Sequence, residues 1–381
     1  MPSHHRYNYI LGHTPPSIHP YLHKVMYNPA GLMGPPKIVE GLRNARWMGE
    51  WKIPNLTPPN YKSLFSNNGN GNQVLASPAI LMLHIFSTPT EGSRKRRMLI
   101  RELGLMEAVP EEYRHLVEIK FVLGINSEAK EGEDEDKHRI GLEEEKEIDT
   151  EMKMYGDLIR LRLLENGENM NNGKSWEWLR YVGREGGRKA WWVMKCDDDT
   201  LPILPNLIPT LLSLDPHKPS YIGTALGRWT GYHYYFQGMI YGFSWGVVKT
   251  MAVAEVPRST RNSQFDEDAK MGELMFSLPL SPSADPTSKY CCPPSDPNPI
   301  WSLPPPNPDP CTGLVRYDMS SKIGKWNGLF IDDERSALAW HELKGDDEYR
   351  HAYQKAREGF ERARREYTWM VPGAFSSVAE V

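Results

Sequence analysis

No stretch of this chain is apolar for long enough to span a bilayer. The longest, Ala79–Phe86 (AILMLHIF), is less than half of the roughly 20 residues that a membrane-crossing helix needs. Neither sign of charge dominates: 45 Lys and Arg against 49 Asp and Glu leave a net charge of −4, so no global field draws the chain to nucleic acid or an anionic membrane. The opening residues, MPSHHRYNYILGHTPP, contain no apolar core for a secretory signal, and no glycine follows Met1 for myristoylation. The cytosol, or an anchor upstream of this reading frame, are the two expectations. No G-x-x-x-x-G-K-[ST] phosphate loop is present, which removes the usual support for a phosphotransferase. Cysteine is scarce, four in 381 residues. Cys196 sits in an apolar run and reads as core. Cys291, Cys292 and Cys311 share a proline-rich loop, where a bridge to Cys311 would close about 20 residues and add roughly 3 kcal/mol in an oxidising compartment.

What is present is globular: 39% hydrophobic and 25% charged residues, with 31 Gly and 32 Pro. That composition excludes wholesale disorder, a coiled coil and a collagen-like fibre. The length suits one domain of up to about 250 residues with irregular flanks. Residues 1–75 read as an irregular leader ending in the linker-like SNNGNGNQ, residues 76–346 as the folded domain, and residues 347–381 as a C-terminal amphipathic helix and tail. Ile80–Ser87 and Val117–Ile125 are strand candidates, and Ser93–Leu105 between them has helical spacing. Strand, helix, strand is the unit of a parallel sheet, so the expected class is α/β. The acidic insertion 128–150 reads as a solvated segment whose second half becomes an exposed helix. Tyr155–Glu165, Lys174–Glu185 and Ala190–Leu214 continue the alternation, and Tyr221–Trp229 and Tyr234–Ala252 read as aromatic strands and loops. Residues 278–310 hold 12 of the 32 prolines and predict a long irregular loop.

The most informative feature is Cys196-Asp197-Asp198-Asp199, closing the segment that begins with the apolar run Trp191–Met194. Three adjacent carboxylates at the end of a buried strand repel one another and need a cation or hydrogen-bond donors. Hard oxygen ligands suit Mg²⁺ or Mn²⁺, which complete their shells with water and substrate phosphates. In open α/β sheets, ligands bind beyond the carboxyl ends of the strands, where this turn falls. An acidic turn capping the following helix accounts for the same triplet.

Six segments in order resemble glycosyltransferase family 31, the β-1,3-galactosyltransferase, N-acetylglucosaminyltransferase and Fringe group. Arg97-Met-Leu-Ile-Arg101-Glu102 is similar to its R-x-x-I-R-E helix, Phe121–Gly124 to its second strand, and Glu151–Asp157 to E-x-x-x-Y-G-D. Lys195–Asp199 resembles K-T-D-D-D, Gly238–Ser244 resembles G-G-G-Y-V-L-S, and Glu267–Gly272 resembles E-D-V-x-x-G. The match departs at Leu103-Gly104, where T-W is usual, in the lone Gly238 of the glycine run, and at Gly173-Lys174-Ser175, a remnant of N-L-T-x-K-T.

The resemblance implies a GT-A-type, Rossmann-like central sheet flanked by helices, a UDP-sugar donor, a Mn²⁺ (or Mg²⁺) cofactor, and an inverting, β-1,3-forming transfer to a glycan or glycoconjugate hydroxyl. It also implies a Golgi membrane or lumenal location. Asp197, Asp199 and His341 are the implied metal ligands. Arg97, Arg101, Asp157, Lys174, Asp197 and Asp198 are the implied donor-site residues. Asp268, with Glu267 beside it, is the implied base, although both acids also suit the start of a helix at Ala269. Arg97 and Arg101, one turn apart, can face one anion, whereas Arg94, Lys95 and Arg96 read as solvated. Trp229, Tyr234 and Tyr235 are candidates to stack on a sugar, or core aromatics. The alternative is a catalytically degenerate member that binds glycans or partners. Neither a nucleic acid partner nor a membrane span is expected, and the sequence leaves the oligomeric state open.

Overall fold

The computed structural model describes residues 79–109, 114–129, 135–165, 173–184, 190–216, 218–224, 229–230, 233–253, 267–268, 271–272, 275, 307–310, 312–326 and 337–366. In chain order these form β1 (Ala79–Phe86), α1 (Glu91–Leu103), β2 (Val117–Asn126), α2 (Glu135–Tyr155), β3 (Leu158–Glu165), α3 (Lys174–Arg184), β4 (Ala190–Asp197), β5 (Leu201–Pro202) and α4 (Leu204–Leu212). They continue with β6 (Ser220–Gly223), β7 (Trp229–Thr230), β8 (His233–Tyr234), β9 (Ile240–Ser244), α5 (Trp245–Val253), β10 (Val315–Asp318), β11 (Ile323–Lys325), β12 (Ala339–His341) and α6 (Asp346–Glu366). The described residues fall into two compact units. One lies within Asn169–Gly187 and His217–Ser320, the other within Ile53–Glu168, Arg188–Pro216 and Ser321–Val381.

The second unit carries a parallel sheet in the order β4-β1-β2-β3. β1 is central there, and all eight of its residues are buried, as expected for a strand covered on both faces. Thr90 caps α1 by accepting from Ser93 N at 3.4 Å, and Gly104 ends it at φ 68°, a left-handed turn that glycine adopts without a steric cost. The α/β class and Rossmann-like alternation expected from the sequence are therefore present. β11, β12 and β5 form a small second sheet in the same unit.

The acidic insertion becomes the expected helix, exposed over most of its length, with a narrow buried strip. α2 buries Gly141, Ile148 and Glu151, and a Cβ on Gly141 would lie 2.4 Å from the Ala129 amide nitrogen, so this close approach needs glycine. Its carboxylates are also partnered: Glu145 accepts from Asn126 N at 2.6 Å and Glu144 from the Asn126 side chain at 2.6 Å. In α6, Tyr349, Ala352 and Ala356 make the buried face of the amphipathic helix expected there.

The other unit holds β10-β6-β9, parallel between β10 and β6 and antiparallel between β6 and β9. α3 packs on α5 so closely that a Cβ on Gly183 would stand 2.3 Å from Ala252 Cβ. α5 occupies a stretch expected to be strand and loop: WGVVKTMAV is apolar nearly all round, and such a short run carries no period that separates helix from strand. The leader 1–75, most of the proline-rich loop, Cys291, Cys292, Cys311 and the tail after 366 lie outside the described residues. No helix among the described residues is long and apolar enough to cross a membrane.

Candidate metal centre

The site is assembled where β1 and β4 end level. Their parallel register pairs Phe86 with Asp197, so the next residue on each strand leaves the sheet at the same edge. Ser87 Oγ donates to Asp198 Oδ2 at 2.9 Å, and Thr200 N donates to Asp197 O at 3.1 Å, closing the acidic turn. The chain then runs into β5, which pairs antiparallel with β12 through Leu201 and Trp340. That pairing brings His341 opposite Thr200, and Thr200 Oγ1 lies 2.9 Å from His341 Nδ1.

Beyond His341, Glu342 turns left-handed at φ 67°, a conformation that costs a residue with a Cβ about 1–2 kcal/mol. The turn folds the chain back over the acidic cluster. Leu343 N donates to Asp199 O at 3.0 Å, and the Lys344 ammonium bonds to Asp199 Oδ2. Arg96, expected to be solvated, is 9% exposed: it donates to Leu343 O at 2.9 Å and Lys344 O at 2.5 Å, and its guanidinium lies over Tyr349 at 5.1 Å. Arg96 thus clamps the loop carrying His341 and Lys344. Its signal is absent from sequence because a basic run looks alike whichever member turns inward.

Asp197, Asp199 and His341 each place a ligand atom within 4.8 Å of the other two, an arrangement that could hold a metal ion. His341 Nδ1 stands 3.2 Å from Asp199 Oδ1. Two carboxylates and one imidazole make a donor set suited to a divalent ion with a partly open shell. The Lys195 ammonium lies 2.8 Å from Asp197 Oδ1 and partly offsets the charge of this carboxylate.

The electrostatics divide the three acids. Burial pushes the Asp199 carboxyl up, but His341 and Lys344 outweigh it and hold the group well below the usual carboxylate range. Burial raises Asp197 against the opposing pull of Lys195. Asp198 is pushed up to about 6, by burial first and then by its two acidic neighbours, against the Ser87 hydrogen bond. Asp199 is thus the fixed anion of the cluster.

The expected donor-site arginines are engaged with carboxylates of the protein itself. Arg97 is fully buried and donates through Nε and Nη2 to both Glu151 oxygens at 2.8 and 2.7 Å; its Nη1 serves Ser87 Oγ at 3.0 Å and Thr88 O at 2.8 Å. Arg101 pairs with Asp157 at 2.8 Å through two nitrogens, reaches Glu151 at 2.8 Å, and lies over the rings of Phe121 and Tyr155. The two arginines do face one anion, but it is Glu151 of the protein. Arg97, Arg101 and Asp157 therefore hold α1, β1 and α2 together, and their hydrogen-bonding groups are committed to one another. Lys174 is fully buried in the other unit.

In that unit Glu267 accepts from Ser175 and from Tyr241, whose hydroxyl also lies 3.2 Å from Ser175 Oγ. Glu267 is thereby held in a polar knot, while the adjacent half-buried Asp268 accepts from Gly238 N at 3.0 Å. Tyr235 is 2% exposed and reads as core. The residues that sequence reasoning missed are Ser87, Arg96, Thr200 and Lys344, each a single polar residue with no spacing to distinguish it. Compared with known proteins, the chain matches no protein-family model and no curated sequence.

Proposed function

We propose that this protein is a metal-dependent inverting glycosyltransferase that moves a hexose or N-acetylhexosamine from a UDP-sugar to a glycan hydroxyl. The observation that carries the reading is the convergence of Asp197, Asp199 and His341 within 4.8 Å at the carboxyl edge of a parallel sheet. The ordered resemblance to family 31 supplies the reaction class. A bound Mn²⁺ would offset the charge that develops on the leaving diphosphate, acting as a Lewis acid.

The chain's own residues supply the remaining functions. Asp199 and Asp197 present carboxylate oxygens, and His341 adds a nitrogen. Asp198, held by Ser87, orients the turn. Asp268 accepts the proton of the acceptor hydroxyl, as inversion requires of a base opposite the leaving group. Glu267, fixed by Ser175 and Tyr241, sets the position of that neighbour.

Transfer from several UDP-sugars, and hydrolysis of the donors, should be measured with Mn²⁺ for the wild type, Asp199→Ala and Asp268→Asn. Asp199→Ala is expected to lose Mn²⁺-dependent UDP binding, and Asp268→Asn to keep binding and lose transfer. Full activity in both variants refutes the assignment. Mn²⁺-dependent UDP binding with no turnover of any donor supports the degenerate alternative.

A further inference from the structure

We infer that Lys344 is a built-in counter-ion of the candidate metal centre, neutralising Asp199 while the centre is empty and passing to the diphosphate of the nucleotide when a metal–nucleotide complex binds. The inference rests on the proposed UDP-sugar reading and adds to it a phosphate-binding residue that no motif in the sequence singles out.

Asp199 divides its two oxygens. Oδ1 faces His341 Nδ1 at 3.2 Å, and Oδ2 bonds to the Lys344 ammonium. Among the described residues that ammonium has no other hydrogen-bond or ion-pair partner, and its side chain is 76% exposed, so Asp199 is what holds it in place. The root of the side chain is fixed by contrast. Arg96 donates to Leu343 O at 2.9 Å and Lys344 O at 2.5 Å, and Leu343 N donates to Asp199 O at 3.0 Å. A flexible stem on a clamped backbone lets the charge move while its reach stays centred on the acidic cluster.

The balance of charge decides when it moves. Three carboxylates, Asp197, Asp198 and Asp199, are met by three cations: Lys195 beside Asp197, Lys344 on Asp199, and Arg96, whose charge acts on Asp198. The empty centre is therefore close to neutral. A divalent ion among Asp197, Asp199 and His341 would stand one carboxylate away from the Lys344 ammonium, where like charges repel. A diphosphate arriving with the ion restores the balance and offers the displaced ammonium a new acceptor, since hard divalent ions complete their shells with substrate phosphates. Lys195 cannot take this part, because its side chain is 2% exposed and lies over the Phe86 ring. Arg97 and Arg101 cannot either, since Glu151 and Asp157 occupy them.

The test is isothermal titration calorimetry on the full chain, with Mn²⁺ alone and then with UDP at saturating Mn²⁺, for the wild type, Lys344→Met and Lys344→Arg. Opposite signs are expected from Lys344→Met. Mn²⁺ alone should bind about two- to five-fold more tightly, the factor of an exposed ion pair, because its competitor is gone. UDP should bind about ten-fold more weakly or worse, the factor equivalent to a charge-assisted hydrogen bond of about 1.5 kcal/mol. Lys344→Arg, which keeps the charge, is expected to stay within about three-fold of the wild type in both titrations. A residue that merely braced the loop would move both affinities the same way. Melting in metal-free buffer checks the fold of each variant. If Lys344→Met melts too low, Lys344→Gln, which removes the charge but keeps a donor for Asp199, is read in its place with the same two signs expected.

UDP binding by a folded Lys344→Met that equals wild type overturns the inference, as does Mn²⁺ binding no tighter than in the wild type. Lys344→Arg binding UDP as weakly as Lys344→Met overturns it too. Absence of Mn²⁺ binding by the wild type removes the metal reading, and Mn²⁺ binding without UDP binding removes the donor reading; the inference falls with either. Wild-type binding of both, with an indifferent Lys344→Met, removes the inference alone.

Discussion

Removing Glu151 tests the structural role of the two arginines. Glu151 is 4% exposed and the Arg97 side chain 0%. Three nitrogen-to-oxygen contacts of 2.7–2.8 Å join it to Arg97 and Arg101. In Glu151→Leu, Arg97 keeps Ser87 and Thr88 but loses every carboxylate contact, leaving a buried guanidinium without a counter-charge. Breaking a buried pair from one side costs about 3–5 kcal/mol. At about 2–4 °C per kcal/mol, the melting temperature should fall by about 6–20 °C, measured by circular dichroism in metal-free buffer. Arg97→Met should be milder, since Glu151 retains Arg101. The double variant Arg97→Met/Glu151→Leu should recover most of the loss, because exchanging both charges for apolar groups leaves no ion uncompensated. If Glu151→Leu melts within a degree or two of the wild type, or if Arg97→Met abolishes UDP binding without lowering the melting temperature, the structural role assigned here is wrong.

Two further outcomes are expected. The Lys344 ammonium competes with any cation for Asp199, so Lys344→Met should tighten Mn²⁺ binding in the absence of nucleotide by about two- to five-fold, the factor equivalent to an exposed ion pair of about 0.5–1 kcal/mol; isothermal titration calorimetry with Mn²⁺ reads it, and weaker binding contradicts the competition. His84 is fully buried in β1, 3.2 Å from Glu118 Oε1. Burial pushes its imidazole down from 6.5, against the pull of Glu118. The unfolded chain therefore takes up this proton first, and the folded state loses stability as the pH falls below 6.5. Urea midpoints between pH 7 and 5 should decline more steeply for the wild type than for His84→Leu, and parallel profiles would count against it.

Much of the unit that carries the candidate metal centre was legible locally. β1, α1 and β2 fall within two residues of their expected ends because an unbroken apolar run, a helical spacing and a terminal glycine are signals carried by neighbouring residues. The acidic turn was legible for the same reason: Asp197–Asp199 follow the buried run without interruption. α5 was not, since its residues are apolar nearly all round and carry no period that separates helix from strand.

The chemistry of a residue and its place after an apolar run were determined by the sequence alone, and they single out three carboxylates that need a partner. Which groups provide that partner was decided by tertiary structure. Antiparallel pairing of β5 with β12 carries His341 to Asp199, and the left-handed turn at Glu342 brings Lys344 to the same carboxylate. The fate of Arg97 and Arg101 was settled the same way: helical spacing establishes that they share an anion, but only the packing of α2 on α1 makes that anion Glu151. Periodicity records the environment of a segment one turn or one pleat at a time. Partners across the fold are chosen by register and close packing between distant segments, which leave no mark in either segment by itself.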